Sequence, residues 1–210
     1  MKRLFLIRHL ETENNRNGIL MGRRIDAPII ADEQVGKFKK KIILLKKSFE
    51  NLVSSNMVIF TSPRIRCQET ANIFSKILDF RGKIRIDKSL DETDMGDFVG
   101  HHVSELRSIF GDKPIEDWMY RPTIFSFPSG ESYQEVHSRV DKFLSKLTKS
   151  DCENVFVCTH VDLIKIILLN SLGSSFDNRR HLIIPPGSVS ILSLLSKEGM
   201  CVESVNSMPF

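Results

Sequence analysis

Apolar runs of strand length recur along the chain at Leu4-Phe5-Leu6-Ile7, Met57-Val58-Ile59-Phe60 and Val155-Phe156-Val157-Cys158, and Val189 to Leu194, interrupted by Ser190 and Ser193, reads as a closing strand. Uninterrupted runs of this length, bounded by polar residues, mark strands buried on both faces. Between them the apolar positions switch to helical spacing. Val35, Phe38, Ile42, Leu45, Phe49 and Leu52 form one stripe, Ile65, Ile73, Phe74, Ile77 and Leu78 a second, and Tyr133, Val136, Val140, Phe143, Leu144 and Leu147 a third. Leu163 to Leu172 is apolar enough for a buried helix, stopped by Gly173. Ile84 to Ile86 and Cys201 to Val205 read as short further strands. The alternation predicts an α/β fold, a three-layer sandwich whose mostly parallel central sheet carries helices on both faces.

Two stretches break the alternation. Glu11 to Ile29, with Gly18, Gly22 and Pro28, reads as a functional loop. Leu90 to Ser129 carries Gly96, Gly100, Gly111, Pro114, Pro122 and Pro128 and reads as an insertion, a lid over about residues 91–129 within one domain spanning 1–210.

The strand ends are chemically alike. The first runs into Arg8-His9; the second reaches Ser62-Pro63, expected to start a helix that places Arg66 in its first turn; a later one ends at Thr159-His160. Parallel strands present their carboxyl ends on one edge, where open α/β sheets bind ligands. Two histidines and two arginines converging there suit a dianion, because guanidinium forks match phosphate oxygens. A metal is not expected: paired arginines repel a cation, and no carboxylate lies at ligand spacing in sequence from either histidine. Arg23 and Arg24, in the loop after Asn15, are expected to extend the positive mouth.

Composition narrows the partners. The 210 residues are 41% hydrophobic and 27% charged with a net charge of +4, an ordinary soluble composition with a mild preference for anions. Lys39-Lys40-Lys41 and Lys46-Lys47 lack interleaved aromatics, so they read as a solvated helix face and not a nucleic-acid surface. Cys67, Cys152, Cys158 and Cys201 form no C-x-x-C pair and read as reduced structural thiols. Lys2-Arg3 and the short run after them are too brief for a signal-peptide core, and nothing approaches the roughly 18 apolar residues of a membrane span. A cytoplasmic protein without a cofactor is expected, acting on a small phosphorylated molecule, with monomer and homodimer both open.

Five segments in order resemble the histidine phosphatase superfamily, the phosphoglycerate mutase-like family. Its R-H-G-E-T pattern with a following asparagine is similar to Arg8-His9-Leu10-Glu11-Thr12 and Asn15. S-P-x-x-R-x-x-x-T-A is matched by Ser62-Pro63, Arg66, Thr70 and Ala71. L-x-E-x-x-x-G-x-x-x-G is matched by Leu90, Glu92, Gly96 and Gly100, and P-x-G-E-S by Pro128, Gly130, Glu131 and Ser132. His160 stands for the second histidine.

The resemblance implies a metal-independent phosphatase that forms a phosphohistidine. His9 would be the nucleophile, Arg8, Arg66 and His160 the holders of the phosphoryl oxygens, and Glu92 the proton donor with a raised pKa. Asn15, Gly22 and Arg23 would contact substrate. A small phosphomonoester, such as a sugar phosphate, is the implied substrate. The alternatives are a phosphoglycerate mutase, disfavoured because Thr93-Asp94-Met95 lacks the arginine and tyrosine that mutases place after the glutamate, and a non-catalytic phospho-ligand binder.

The chain departs from the pattern at Leu10 and at Val161-Asp162, where the family has glycines, and at Val99, often a glutamate. Leu10 is expected to narrow the pocket or shift its amides. Asp162 would repel a dianion unless its side chain turns along the following helix. His101, His102, His137 and His181 read as surface or packing residues, and Arg179-Arg180 as caps on a loop.

Overall fold

A computed structural model describes residues 2–49, 56–195 and 199–207. The chain runs β1 (Lys2–Arg8), α1 (Glu13–Arg16), α2 (Glu33–Ser48), β2 (Met57–Thr61), α3 (Ile65–Ile77), β3 (Arg85–Ile86), α4 (Leu106–Phe110), α5 (Asp112–Tyr120), α6 (Tyr133–Thr148), β4 (Asn154–Thr159), α7 (Val161–Ser171), β5 (Val189–Leu195) and β6 (Gly199–Ser204). The sheet order is β3-β2-β4-β1-β5-β6. β1, β4, β2 and β3 are parallel, while β5 and β6 are antiparallel, so the sheet is mixed and mostly parallel.

Alternation along β1 sends Leu4 and Leu6 to one face and Phe5 and Ile7 to the other. Leu4 and Leu6 pack with Val155, Val157 and the apolar stripes of α6 and α7. Phe5 and Ile7 pack with Ile59, Phe156 and the stripes of α2 and α3, and Phe5 stacks on Phe156 at 4.5 Å. The three expected layers are present. Helix α2 ends earlier than its stripe: Phe49 is extended, and Leu52 lies outside the described residues. Among the described residues, no helix is long and apolar enough to cross a membrane.

The start of α3 differs from expectation. Its N-cap is Arg64, with no side-chain cap, because Ser62 stands two residues earlier with its hydroxyl 2.8 Å from His160 Nε2.

The lid has structure of its own. Phe98, fully buried, meets Phe110, Trp118 and Phe127 at 4.5, 5.7 and 5.4 Å, and Met95, Leu106 and Ile115 complete a small apolar cluster. Two glycines let its stem cross itself. Gly96 has φ +54, and a Cβ there would sit 1.8 Å from the Pro128 carbonyl oxygen; one on Gly130 would sit 2.4 Å from that of Asp94. Gly96→Ala is therefore expected to lower stability by about 3 kcal/mol or more, because both the left-handed backbone and the backbone overlap oppose a methyl group. Urea unfolding midpoints check this, with Gly111→Ala, where space is open, showing only the smaller backbone cost.

Candidate active site

Strand register builds the site. Arg8 pairs with Thr159 and Cys158 with both Ile7 and Thr61, so His9, His160 and Ser62, each the next residue, arrive together at the carboxyl edge. The His9 amide donates to Thr159 O and the Ser62 amide to Cys158 O, at 3.1 and 3.0 Å, extending the ladders into the site.

His9 is buried, and its Nδ1 lies 2.6 Å from its neighbour's carbonyl, Leu10 O. That carbonyl can only accept, so Nδ1 carries the proton and Nε2 keeps its lone pair. Burial first, then the charges of His160, Arg66 and Arg8, hold His9 well below the usual histidine range. It is a neutral imidazole at pH 7. Leu10 N donates to Thr70 Oγ1 at 3.0 Å, and Thr70 donates in turn to Arg66 O at 2.7 Å, tying the backbone after His9 to α3.

His160 sits 5.2 Å from His9, ring to ring. Its Nε2 faces Ser62 Oγ, and its Nδ1 is 3.3 Å from Glu92 Oε2. Burial opposes the charged ring, but the Glu92 carboxylate at Nδ1 outweighs it and raises His160 above the ordinary histidine range; Cys67, with Sγ 3.5 Å from Nε2, is itself kept a neutral thiol by burial. Burial would likewise raise Glu92, yet His160 and Arg66 overcome it and hold the carboxyl below its ordinary range. This corrects the expected raised pKa: Glu92 is an ion-paired carboxylate.

Arg66 is fully buried. It donates to Gly22 O (3.1 Å) and Ile25 O (3.4 Å), reaches Asp26 at 3.3 Å, and places Nη2 3.4 Å from His160 Nδ1. Arg8 donates from Nη1 to Ile184 O at 2.5 Å. The Nε groups of both arginines are buried with no hydrogen-bond partner among the described residues. Two orphaned cationic donors beside an imidazolium and one carboxylate leave the site short of negative charge.

The remaining expected contacts resolve differently. Asn15 closes the cap of α1, its Oδ1 accepting from Thr12 N (3.3 Å) and Thr12 Oγ1 (3.1 Å). Gly22 acts through its carbonyl on Arg66; its φ of +51 and its tight fit against Thr93 O and Met95 N explain the glycine. Arg23 is not a free cation: it pairs with Glu131 and donates to Glu92 O, while Arg24 pairs with Asp94. Both brace the lid stem.

Leu10 does not narrow the pocket. Its side chain joins the apolar cluster on the α2 side and packs against Gly187, where a Cβ would come within 3.0 Å of it. Val161 packs into the opposite cluster and Val99 into the lid. Asp162 turns to Arg179, 3.3 Å away, so Arg179 neutralises a helix-start carboxylate and is not merely a loop cap. A carboxylate does reach the histidines, contrary to the spacing argument: ligand atoms of His9, Glu92 and His160 lie within 4.8 Å of one another. The arginines beside them still disfavour a cation.

Sequence reasoning missed Arg139 and Arg64. Arg139 clamps the carbonyls of Ser89, Asp91 and Glu92 at 2.9, 2.6 and 3.2 Å, and Arg64 pairs with Asp91 at 2.9 Å. Each looks like an ordinary helix-surface cation in sequence, and only the fold brings the Glu92 loop to it.

The chain is similar to known proteins over nearly its whole length. Residues 4–207 match the family profile described as histidine phosphatase superfamily (branch 1). A Hydrogenobacter thermophilus protein provisionally named phosphoserine phosphatase 2 is 27% identical over 85% of this chain and 82% of its own. The adenosylcobalamin/α-ribazole phosphatase of Escherichia coli is 24% identical over 93% of this chain and 91% of its own. A phosphoserine phosphatase structure from Entamoeba histolytica superposes with a TM-score of 0.77 at 19% identity, over 99% of this chain and 98% of that one, and so supports the fold.

The ion pair has a pH signature. A raised His160 contributes stability that is fully present below its unfolded value near 6.5 and is lost as pH climbs through about 9. Urea midpoints measured from pH 6 to 10 should therefore fall more steeply in the parent protein than in His160→Gln.

Proposed function

The chain belongs to the histidine phosphatase superfamily, and we propose that it is a phosphatase that hydrolyses small phosphomonoesters through a phosphohistidine on His9. The observation that carries this reading is His9 itself: a buried neutral imidazole, its Nδ1 proton fixed on Leu10 O and its Nε2 pair free, among cations with unpartnered donors.

A substrate phosphate is held by Arg8, Arg66 and His160, with the side-chain Nδ2 of Asn15 as a further donor. The Nε2 pair attacks phosphorus, the bond from phosphorus to the ester oxygen breaks, and the leaving oxygen departs with that electron pair. Glu92 supplies its proton. The dianion draws on the same cations that keep Glu92 ionised, so substrate binding itself raises the carboxyl's affinity for a proton, which it takes up from solvent while His160 stays charged against the phosphoryl oxygens; the proton that Glu92 later takes from water resets it for the next substrate. After the leaving group exits, Glu92 takes a proton from water as the water attacks the phosphohistidine, and His9 is restored.

No step requires a metal. The phosphatase reading is favoured over a mutase because the residues after Glu92 are spent on the lid: Asp94 pairs with Arg24 and caps Gly96. They are not free to grip a second group of a retained intermediate.

Arg66→Met is expected to cut kcat/KM by a hundredfold or more, on the order found for removing one transition-state donor, in a steady-state assay over a phosphomonoester panel with EDTA present. Loss of all activity in EDTA would contradict the metal-independent mechanism. Glu92→Gln separates the two steps. Nitrophenolate leaves without a proton while water still needs a base, so with p-nitrophenyl phosphate this variant should show a burst of about one equivalent and accumulate phosphoenzyme. Equal slowing of both steps would contradict the role given to Glu92.

A further inference from the structure

Ser62 stands just before α3, which starts without a side-chain cap, and none of the steps above uses it. It is fully buried, and its amide donates to Cys158 O, tying the end of β2 to the strand that carries His160. Its Oγ accepts from Arg64 N at 3.3 Å and lies 2.8 Å from His160 Nε2. A hydroxyl has one proton and two lone pairs, so with one pair given to Arg64 it keeps one of each for the ring.

The other side of His160 is set by charge. Nδ1 lies 3.3 Å from Glu92 Oε2 and 3.4 Å from Arg66 Nη2. Arg66 Nη2 already donates to Gly22 O at 3.1 Å, whereas an ionised carboxylate can only accept, so Nδ1 keeps its proton toward Glu92. The ring therefore gains and loses its second proton at Nε2. The other titratable groups facing it are His9, 5.2 Å away ring to ring, and Cys67, with Sγ 3.5 Å from Nε2. Burial keeps that thiol neutral, and sulfur is a weak partner beside a hydroxyl at 2.8 Å. Asp162, on α7 itself, is turned to Arg179.

We infer that Ser62 is a positioning residue that keeps the Nδ1–H of His160 aimed into the site in both charge states of the ring. Its oxygen accepts from Nε2–H when the ring is charged, and its hydroxyl turns to donate to the bare Nε2 when the ring is neutral. Without this two-way partner a buried N–H or a buried lone pair is left unmatched, and the ring loses the contact that sets which nitrogen faces Glu92. The role rests on the phosphatase reading for the use of the Nδ1–H, which a phosphoryl oxygen takes in place of Glu92.

The test is read without substrate and does not depend on turnover. The full chain is labelled with 15N-histidine and its imidazole nitrogens are followed by NMR from pH 6 to 10, with His160 assigned by its loss in His160→Gln. In the parent protein Nε2 is expected to titrate, leaving the Nδ1–H tautomer. Ser62→Ala should lower the midpoint by about one pH unit, a tenfold loss of proton affinity, because a hydrogen bond to the charged ring is the stronger one. Ser62→Thr, which keeps the hydroxyl, should restore it, and Cys67→Ala should move it less than Ser62→Ala does. A neutral ring protonated at Nε2 in the parent protein, which needs no variant to see, or a midpoint that follows Cys67 and not Ser62, would overturn the assignment. The alkaline limb of kcat/KM is measured separately and should move with the NMR midpoint in Ser62→Ala; an unmoved limb would remove the positioning role. A parent protein that turns over no phosphomonoester would instead remove the phosphatase reading and leave the tautomer of His160 standing.

Discussion

Burying Arg8, Arg66 and His160 around one carboxylate, Glu92, is the constraint on which the site depends. An arginine with no exposed surface and an imidazolium against it are tolerated only because carbonyls from the 22–25 loop, Asp26 and Glu92 share the charge. The compensation is incomplete, since both guanidinium Nε groups stay unpartnered. An incompletely compensated buried cation cluster suits a dianion, and the same cations add to burial in keeping His9 neutral. The proposed anion binding and the neutral state of His9 therefore share these charges. The ionisation of Glu92 depends on them as well: the carboxylate balances the cations.

The fold supplies this arrangement through register, not through flexible loops. Three parallel strands end in step, so Arg8-His9, Thr159-His160 and Thr61-Ser62 cannot be displaced singly without breaking ladder hydrogen bonds. Supports converge from outside the sheet. Thr70 holds the backbone after His9, Arg139 clamps the carbonyls before and at Glu92, and Glu131 stands between Arg139 and Arg23. The crossing of Gly96 and Gly130 fixes the stem that carries these groups.

Much of this is legible in the chain. Uninterrupted apolar runs announce the parallel strands, and the residues at their ends carry the chemistry. What escapes sequence is set by side-chain direction and long-range charge. Leu10 looks obstructive beside a nucleophile, but strand alternation and the absence of a side chain at Gly187 send it into the core. Asp162 looks repulsive until Arg179, seventeen residues on, is folded against it. A desolvated glutamate suggests a raised pKa, and only the positions of His160 and Arg66 reverse the sign. Two short helices and an aromatic cluster within the lid were hidden by its glycines and prolines, whose turns obscure periodicity.

The account's central claim concerns a single atom: the lone pair left on Nε2 of His9 when Leu10 O holds the Nδ1 proton. Quenching the protein in alkali during turnover, isolating the labelled peptide and reading its phosphorus–nitrogen connectivity by NMR tests it directly. The account predicts acid-labile phosphate on His9, attached at Nε2. Phosphate at Nδ1, on another residue, or absent while turnover continues would contradict it.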